Sequence, residues 1–150
     1  MPSPVPSINL QIGPLGPLVH VVIAVSVPRQ LALQAAGQPA PPTTNGVFLI
    51  DTGASNTNVD PTLLAPLQLQ PTGSIQVHTP STNGAPVVCN QYDVELAIGS
   101  PNGPPFTIAA LPVTEASLIT QGIAGLLGRD VLSRCTLIYN GVLQMYTLCY

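Results

Sequence analysis

The sequence contains no lysine and no tryptophan, and its only arginines are Arg29, Arg129 and Arg134. Charged residues make up 6% of the 150 positions, and the net charge is -3. Three scattered arginines cannot neutralise a phosphate backbone, so nucleic acid is excluded as a partner. An anionic membrane surface is disfavoured on the same ground. Cysteine is scarce: Cys89, Cys135 and Cys149 are odd in number, with no Cys-x-x-Cys pair and no Cys/His cluster. This spacing argues against a zinc site and against a disulfide framework, so the three are expected as reduced thiols on strands, with one bridge left open. No basic residue precedes Arg29, so no secretory signal is visible. The apolar run at residues 18–27 is too short to cross a bilayer, for which roughly 20 residues are needed. The expected setting is therefore cytoplasmic.

What is present points to a packed β protein. Apolar residues reach 45%, which argues against a disordered chain. Proline (18) outnumbers glycine (13), favouring strands and loops over a helical bundle. The length suits one domain spanning 1–150, with residues 1–7, rich in proline, as a flexible arm.

The chain is organised around Val47-Phe48-Leu49-Ile50-Asp51-Thr52-Gly53-Ala54-Ser55. Four apolar residues form a buried strand that ends in a carboxylate. A carboxylate there is costly unless it is hydrogen-bonded, paired or shares a proton. Gly53 permits a sharp turn and a close approach, and the Thr52 hydroxyl can tie that turn down.

Along the chain, residues 8–12 alternate as a half-wet strand, 13–17 turn, and 18–27 form a β-branched strand. His20 within it is expected as a satisfied structural histidine. The pattern is lost from 28 to 45, where 38–45 reads as loop. Asp60 is a good N-cap with Pro61 in the first helical position, and Pro66 limits that helix to about two turns. Residues 74–78 and 87–98 form a long hairpin whose mobile tip carries Asn83-Gly84, with His78 exposed. Residues 106–113 form a strand and 114–121, containing Glu115, a loop. Leu126-Leu127 ends a buried strand, Gly128 breaks it, and 129–134 open a short helix. Strands at 135–139 and 142–149 are joined by Asn140-Gly141 as a tight hairpin. Asp93 and Glu95 share one strand face and are expected to be solvated. Neither histidine has a nucleophile elbow, so no Ser/His/Asp triad is suggested.

Two distant stretches then agree. Residues 49–55 resemble the catalytic loop of the retropepsin-like aspartic proteases. Gly125-Leu126-Leu127-Gly128-Arg129-Asp130-Val131-Leu132 resembles their second signature, and the Asn83-Gly84 hairpin falls between the two, where the family keeps its flap. The chain looks closest to the bacterial members of the group. The resemblance implies an all-β, acid-protease-like single-lobe closed barrel or sandwich, with a flap hairpin and one or two short helices.

It also implies a function. In the known case of the aspartic-protease dyad, two carboxylates about 3 Å apart cannot both ionise, so they share a proton. One activates water and the other protonates the scissile carbonyl. One Asp-Thr-Gly is present, so the resemblance implies an endopeptidase acting as a homodimer, with Asp51, Thr52 and Gly53 catalytic in each chain. Ala54, Ser55, Asn83, Gly84, Leu126 and Leu127 would bind an extended polypeptide. Gly128, Arg129 and Asp130 would support the site from behind. No metal or cofactor is implied. The alternative is an inactive homodimer that binds peptide in the same groove. One departure stands out: retroviral members often carry an acid two residues after the loop glycine, and here that position is Ser55. Arg129 then needs another partner: Asp130, a backbone carbonyl or the other subunit.

Overall fold

The computed structural model describes residues 5–78 and 83–150. Ten strands appear in order: β1 (Ser7–Gln11), β2 (Leu18–Val25), β3 (Thr44–Ile50), β4 (Asn58–Val59), β5 (Gly73–Val77), β6 (Val87–Ile98), β7 (Phe106–Glu115), β8 (Gly125–Leu127), β9 (Thr136–Asn140) and β10 (Met145–Cys149). Helices α1 (Val27–Ala35), α2 (Pro61–Leu64) and α3 (Arg129–Leu132) are short. The strand order β2-β3-β8-β4-β7-β6 closes on itself because β2 also pairs with β6, giving a six-stranded barrel from which β5 extends as a seventh strand. A separate sheet, β1-β10-β9, packs beside it.

The barrel closes around side chains that alternate inward along each strand. Val21, Ile23, Phe48, Val94, Leu96, Ile98, Val113 and Leu127 have no exposed surface. Phe48 fills the space opposite Gly125, its register partner across β3 and β8. A Cβ on Gly125 would meet the Phe48 ring at 2.3 Å, so no larger residue fits there. The small sheet is fastened to the barrel by Tyr146, which is buried and donates its hydroxyl to the Leu18 carbonyl. Burial pushes that phenol up to about 12.

The fold follows the expected all-β plan and departs from it in five places. Residues 28–35, expected to lack a pattern, form α1 together with Val27, expected to end the preceding strand. Pro28 lies in the first turn, where a missing N–H costs nothing, and it starts this helix; Leu31-Ala32-Leu33-Gln34-Ala35 are strong helix formers. Gly37 ends it with φ +66°, while Gln38 N–H reaches back to Leu33 O at 2.8 Å. The preceding strand accordingly stops at Val25. Ser7, expected in the flexible arm, pairs with Cys149 in β1, and Tyr150 N–H donates to Pro6 O at 3.2 Å; residues 1–4 of that expected arm lie outside the described residues.

Asn140-Gly141 is not a two-residue turn. The ladder pairs Asn140 with Met145, so residues 141–144 form the connection, and the Asn140 side chain accepts from Leu143 N–H at 3.0 Å. That local side-chain bond replaces the primed turn. Glu95 is not simply solvated: Gln30 of α1 donates to it at 2.5 Å and to Val25 O at 2.8 Å, pinning the helix to β6. Thr114 and Glu115, expected in a loop, complete β7. His20 sits on the outer face of β2 beside Asn45 Oδ1, at 3.1 Å. Cys89, Cys135 and Cys149 are unbridged. Among the described residues no helix is long and apolar enough to cross a membrane.

Candidate active site

The Asp51 loop is shaped by its two ends. β3 runs parallel to β8, and β4 runs antiparallel to β8 on its other side. The chain from Asp51 to Thr57 must therefore cross the end of β8 in seven residues. Asp51 N–H donates to Leu127 O at 3.0 Å, fixing the start of the loop to the end of β8. Gly53 N–H donates to Asp51 Oδ1 at 2.8 Å, and Ala54 N–H to Asp51 O at 3.2 Å. The carboxylate is thus oriented by the backbone of its own turn and remains half-buried. Thr52 and Gly53 lie exposed at the tip.

Beneath the loop sits the Gly-Arg-Asp segment. A Cβ on Gly128 would lie 2.5 Å from the Asn56 carbonyl carbon, so glycine is what lets α3 approach the loop. Arg129 N–H donates to Ala54 O at 2.9 Å. Its guanidinium donates to Thr52 O at 2.9 Å, Gly53 O at 3.1 Å and Ser55 Oγ at 2.8 Å. Arg129 therefore finds its partners within the loop itself. Asp130 is turned elsewhere, onto Thr57.

Thr57 carries no signal in the sequence, yet it is fully buried and ties three segments together. Its N–H and hydroxyl donate to Asp130 at 2.8 and 2.7 Å, and its hydroxyl accepts from Gly128 N–H at 3.1 Å. Asp60 has a similar role further along the chain. It caps α2 through Thr62 N–H at 2.9 Å, as expected, and also accepts from Leu118 and Ile119 N–H at 2.6 and 2.8 Å. Burial alone would raise its pKa; the donated bonds from Thr62, Leu118 and Ile119 outweigh it and bring the carboxyl from 3.8 down to about 2.

Above the loop opens a cleft of about 710 Å³. Its floor is Asp51, Gly53, Ala54, Ser55 and Leu126; its walls are the β5–β6 hairpin through Ile75, Val77, His78, Val87 and Cys89, and the end of β7 with the residues after it, Thr114 to Leu118. An extended chain could lie between hairpin and loop with its backbone over Asp51. Among the described residues no group of three potential metal ligands exists.

The aspartyl protease family matches this chain over residues 35–131, well over half of its length. The chain belongs to the aspartyl protease family. It is accordingly an aspartic-type peptidase. Its fold is similar to that of a solved retropepsin-like aspartic protease from Rickettsia conorii, with TM-score 0.60 and 14% identity over 100% of this chain and 95% of that one. No curated protein matches the chain.

In this peptidase, the expected site residues are brought together unequally. Asp51, Gly53, Ala54, Ser55 and Leu126 share the cleft. Leu127 faces the core with no exposed surface and does not line it. Asn83 and Gly84 both have positive φ, +48° and +79°, as a primed hairpin turn requires, but they stand outside the cleft. The rest of that tip, residues 79–82, lies outside the described residues. Glu115, which the sequence places in a loop, lines the cleft.

Proposed function

We propose that the chain is an endopeptidase that works as a homodimer, each subunit contributing one Asp51 to a dyad on a two-fold axis. The observation that carries this reading is the Asp51 carboxylate itself: half-buried at the floor of a cleft and oriented by Gly53 N–H at 2.8 Å. A single such carboxylate cannot serve as both base and acid, and the chain holds only one Asp-Thr-Gly loop. The exposed position of Thr52, at the loop tip, suits contact with a second copy. So do the apolar side chains of Tyr139, Val142 and Leu143, which are 58%, 93% and 66% exposed.

In the dimer, one Asp51 takes a proton from water as it attacks the scissile carbonyl. Its mate delivers a proton to the carbonyl oxygen, and the tetrahedral intermediate collapses with protonation of the leaving amine. Gly53 N–H orients the carboxylate. Arg129 fixes the carbonyls of the two residues that follow it. Ala54, Ser55 and Leu126 form the floor on which the polypeptide lies.

The test is cleavage of a mixture of unstructured peptides between about pH 4 and 7, with wild type and Asp51→Asn compared at several enzyme concentrations. Activity that disappears in Asp51→Asn and falls faster than linearly on dilution supports a dyad shared between chains. Activity retained in Asp51→Asn refutes the mechanism. A dimer that binds peptides without cleaving them moves the reading to a peptide-binding module.

A further inference from the structure

We propose that Glu115 forms a subsite selecting a basic side chain, arginine or lysine, in the polypeptide; this rests on the reading of the cleft as a peptide-binding groove. Among the described residues the cleft is lined by two carboxylates, Asp51 and Glu115, and by His78, but by no arginine or lysine. Asp51 is committed to the Gly53 N–H and to the reaction proposed above. Glu115 has no such duty.

Its geometry is that of a held acceptor. Asn90 Nδ2 donates to Glu115 Oε2 at 3.3 Å, and Tyr92 OH to the same oxygen at 3.4 Å. Both donors come from β6, so one oxygen is steadied by the neighbouring strand. Among the described residues Oε1 accepts no hydrogen bond. Glu115 is half-buried, so an incoming cation would meet it partly shielded from water. All three arginines stand elsewhere: Arg129 is spent on the Asp51 loop, and neither Arg29 nor Arg134 lines this cleft.

The strand order gives the reach. From Asp51 at the end of β3, the wall passes through β8 and β4 to Glu115 on β7, which pairs with Val59. Three strand spacings are about 14 Å along the wall, and an extended peptide advances about 3.4 Å per residue. The selected side chain therefore lies within about four residues of the bond held over Asp51. A guanidinium or an ammonium could donate to Oε1, the oxygen that Asn90 and Tyr92 leave free.

The test uses unstructured peptides, identical in pairs except that arginine at one position is replaced by citrulline, its neutral isostere. Binding is read by fluorescence anisotropy and cleavage by product formation. Wild type should favour the arginine member of the best pair by about twofold to fivefold, the range expected of a partly exposed ion pair. Glu115→Gln should bring that ratio to about one, and Glu115→Arg should instead favour glutamate over glutamine at the same position. A ratio of one in wild type, or a preference that survives Glu115→Gln, overturns the proposal. Arginine-selective binding without cleavage supports the subsite while refuting the endopeptidase reading; cleavage without arginine selectivity does the opposite.

Discussion

The Asp130 carboxylate holds Thr57 twice, taking its N–H at 2.8 Å and its hydroxyl at 2.7 Å. The same hydroxyl accepts Gly128 N–H at 3.1 Å, so one buried side chain joins the end of the Asp51 loop to the start of α3. Thr57→Val keeps the shape and removes both hydroxyl bonds. It leaves the buried Gly128 N–H without an acceptor and takes one donor from an Asp130 oxygen that keeps Val131 N–H at 2.9 Å, which should cost about 1 to 3 kcal/mol. Urea unfolding should show a lower midpoint at unchanged slope. A midpoint equal to wild type would mean that the loop is held by other contacts.

Asp60 predicts a pH dependence with a defined sign. Its folded pKa is about 2 against 3.8 for the free group. A depressed acid stabilises the fold above its unfolded value and loses that contribution as pH falls through the folded value. The loss should run from about pH 4 to pH 2 and amount to about 2 kcal/mol. Asp60→Asn should be less stable than wild type at pH 6, and the two should converge towards pH 2. A constant difference across that range would remove Asp60 as the cause.

Much of the fold and site is legible because the signals are local. Asp51-Thr52-Gly53 ends a strand, and Gly128-Arg129-Asp130 opens a helix, each within a few residues. The barrel strands carry β-branched runs, and Asp60-Pro61 announces its helix. Helix α1 escapes the pattern because Pro28 reads as a breaker, whereas at the first turn it is a start. Asn140-Gly141 misleads in the opposite way, since the Asn140 side chain caps Leu143 rather than forming a primed turn. Thr57 and Glu115 cannot be found from spacing. Thr57 matters because closure sets it against Gly128 and Asp130, and Glu115 because β7 ends at the cleft; both are consequences of the barrel.

Arg129 carries the next prediction. Its guanidinium spans Thr52 O, Gly53 O and Ser55 Oγ at 2.8 to 3.1 Å. A lysine ammonium cannot hold three acceptors in that plane, so Arg129→Lys should loosen the loop around Asp51. Cleavage should fall by about tenfold or more through misplacement of the carboxylate. Ser55→Asp should do the reverse for stability, adding a charge-assisted pair worth about 0.5 to 1 kcal/mol that fades as salt is raised. Thermal unfolding at low and high salt checks it. A salt-independent gain would exclude the ion pair.

Gly128 and Gly99 separate close approach from glycine content. A Cβ on Gly128 would sit 2.5 Å from Asn56 C and 2.6 Å from Asn56 O, both backbone atoms that no side-chain rotation can clear. A Cβ on Gly99 would meet nothing within 4 Å. Gly128→Ala must push α3 away from the loop, breaking the Arg129 N–H bond to Ala54 O and the Gly128 N–H bond to Thr57. It should cost more than about 3 kcal/mol, enough to unfold a marginal domain or abolish cleavage. Gly99→Ala should stay within about 0.5 kcal/mol of wild type by urea unfolding. If Gly128→Ala were as stable and active as Gly99→Ala, the helix would not be seated against the loop, and the support of Asp51 from behind would have to be abandoned.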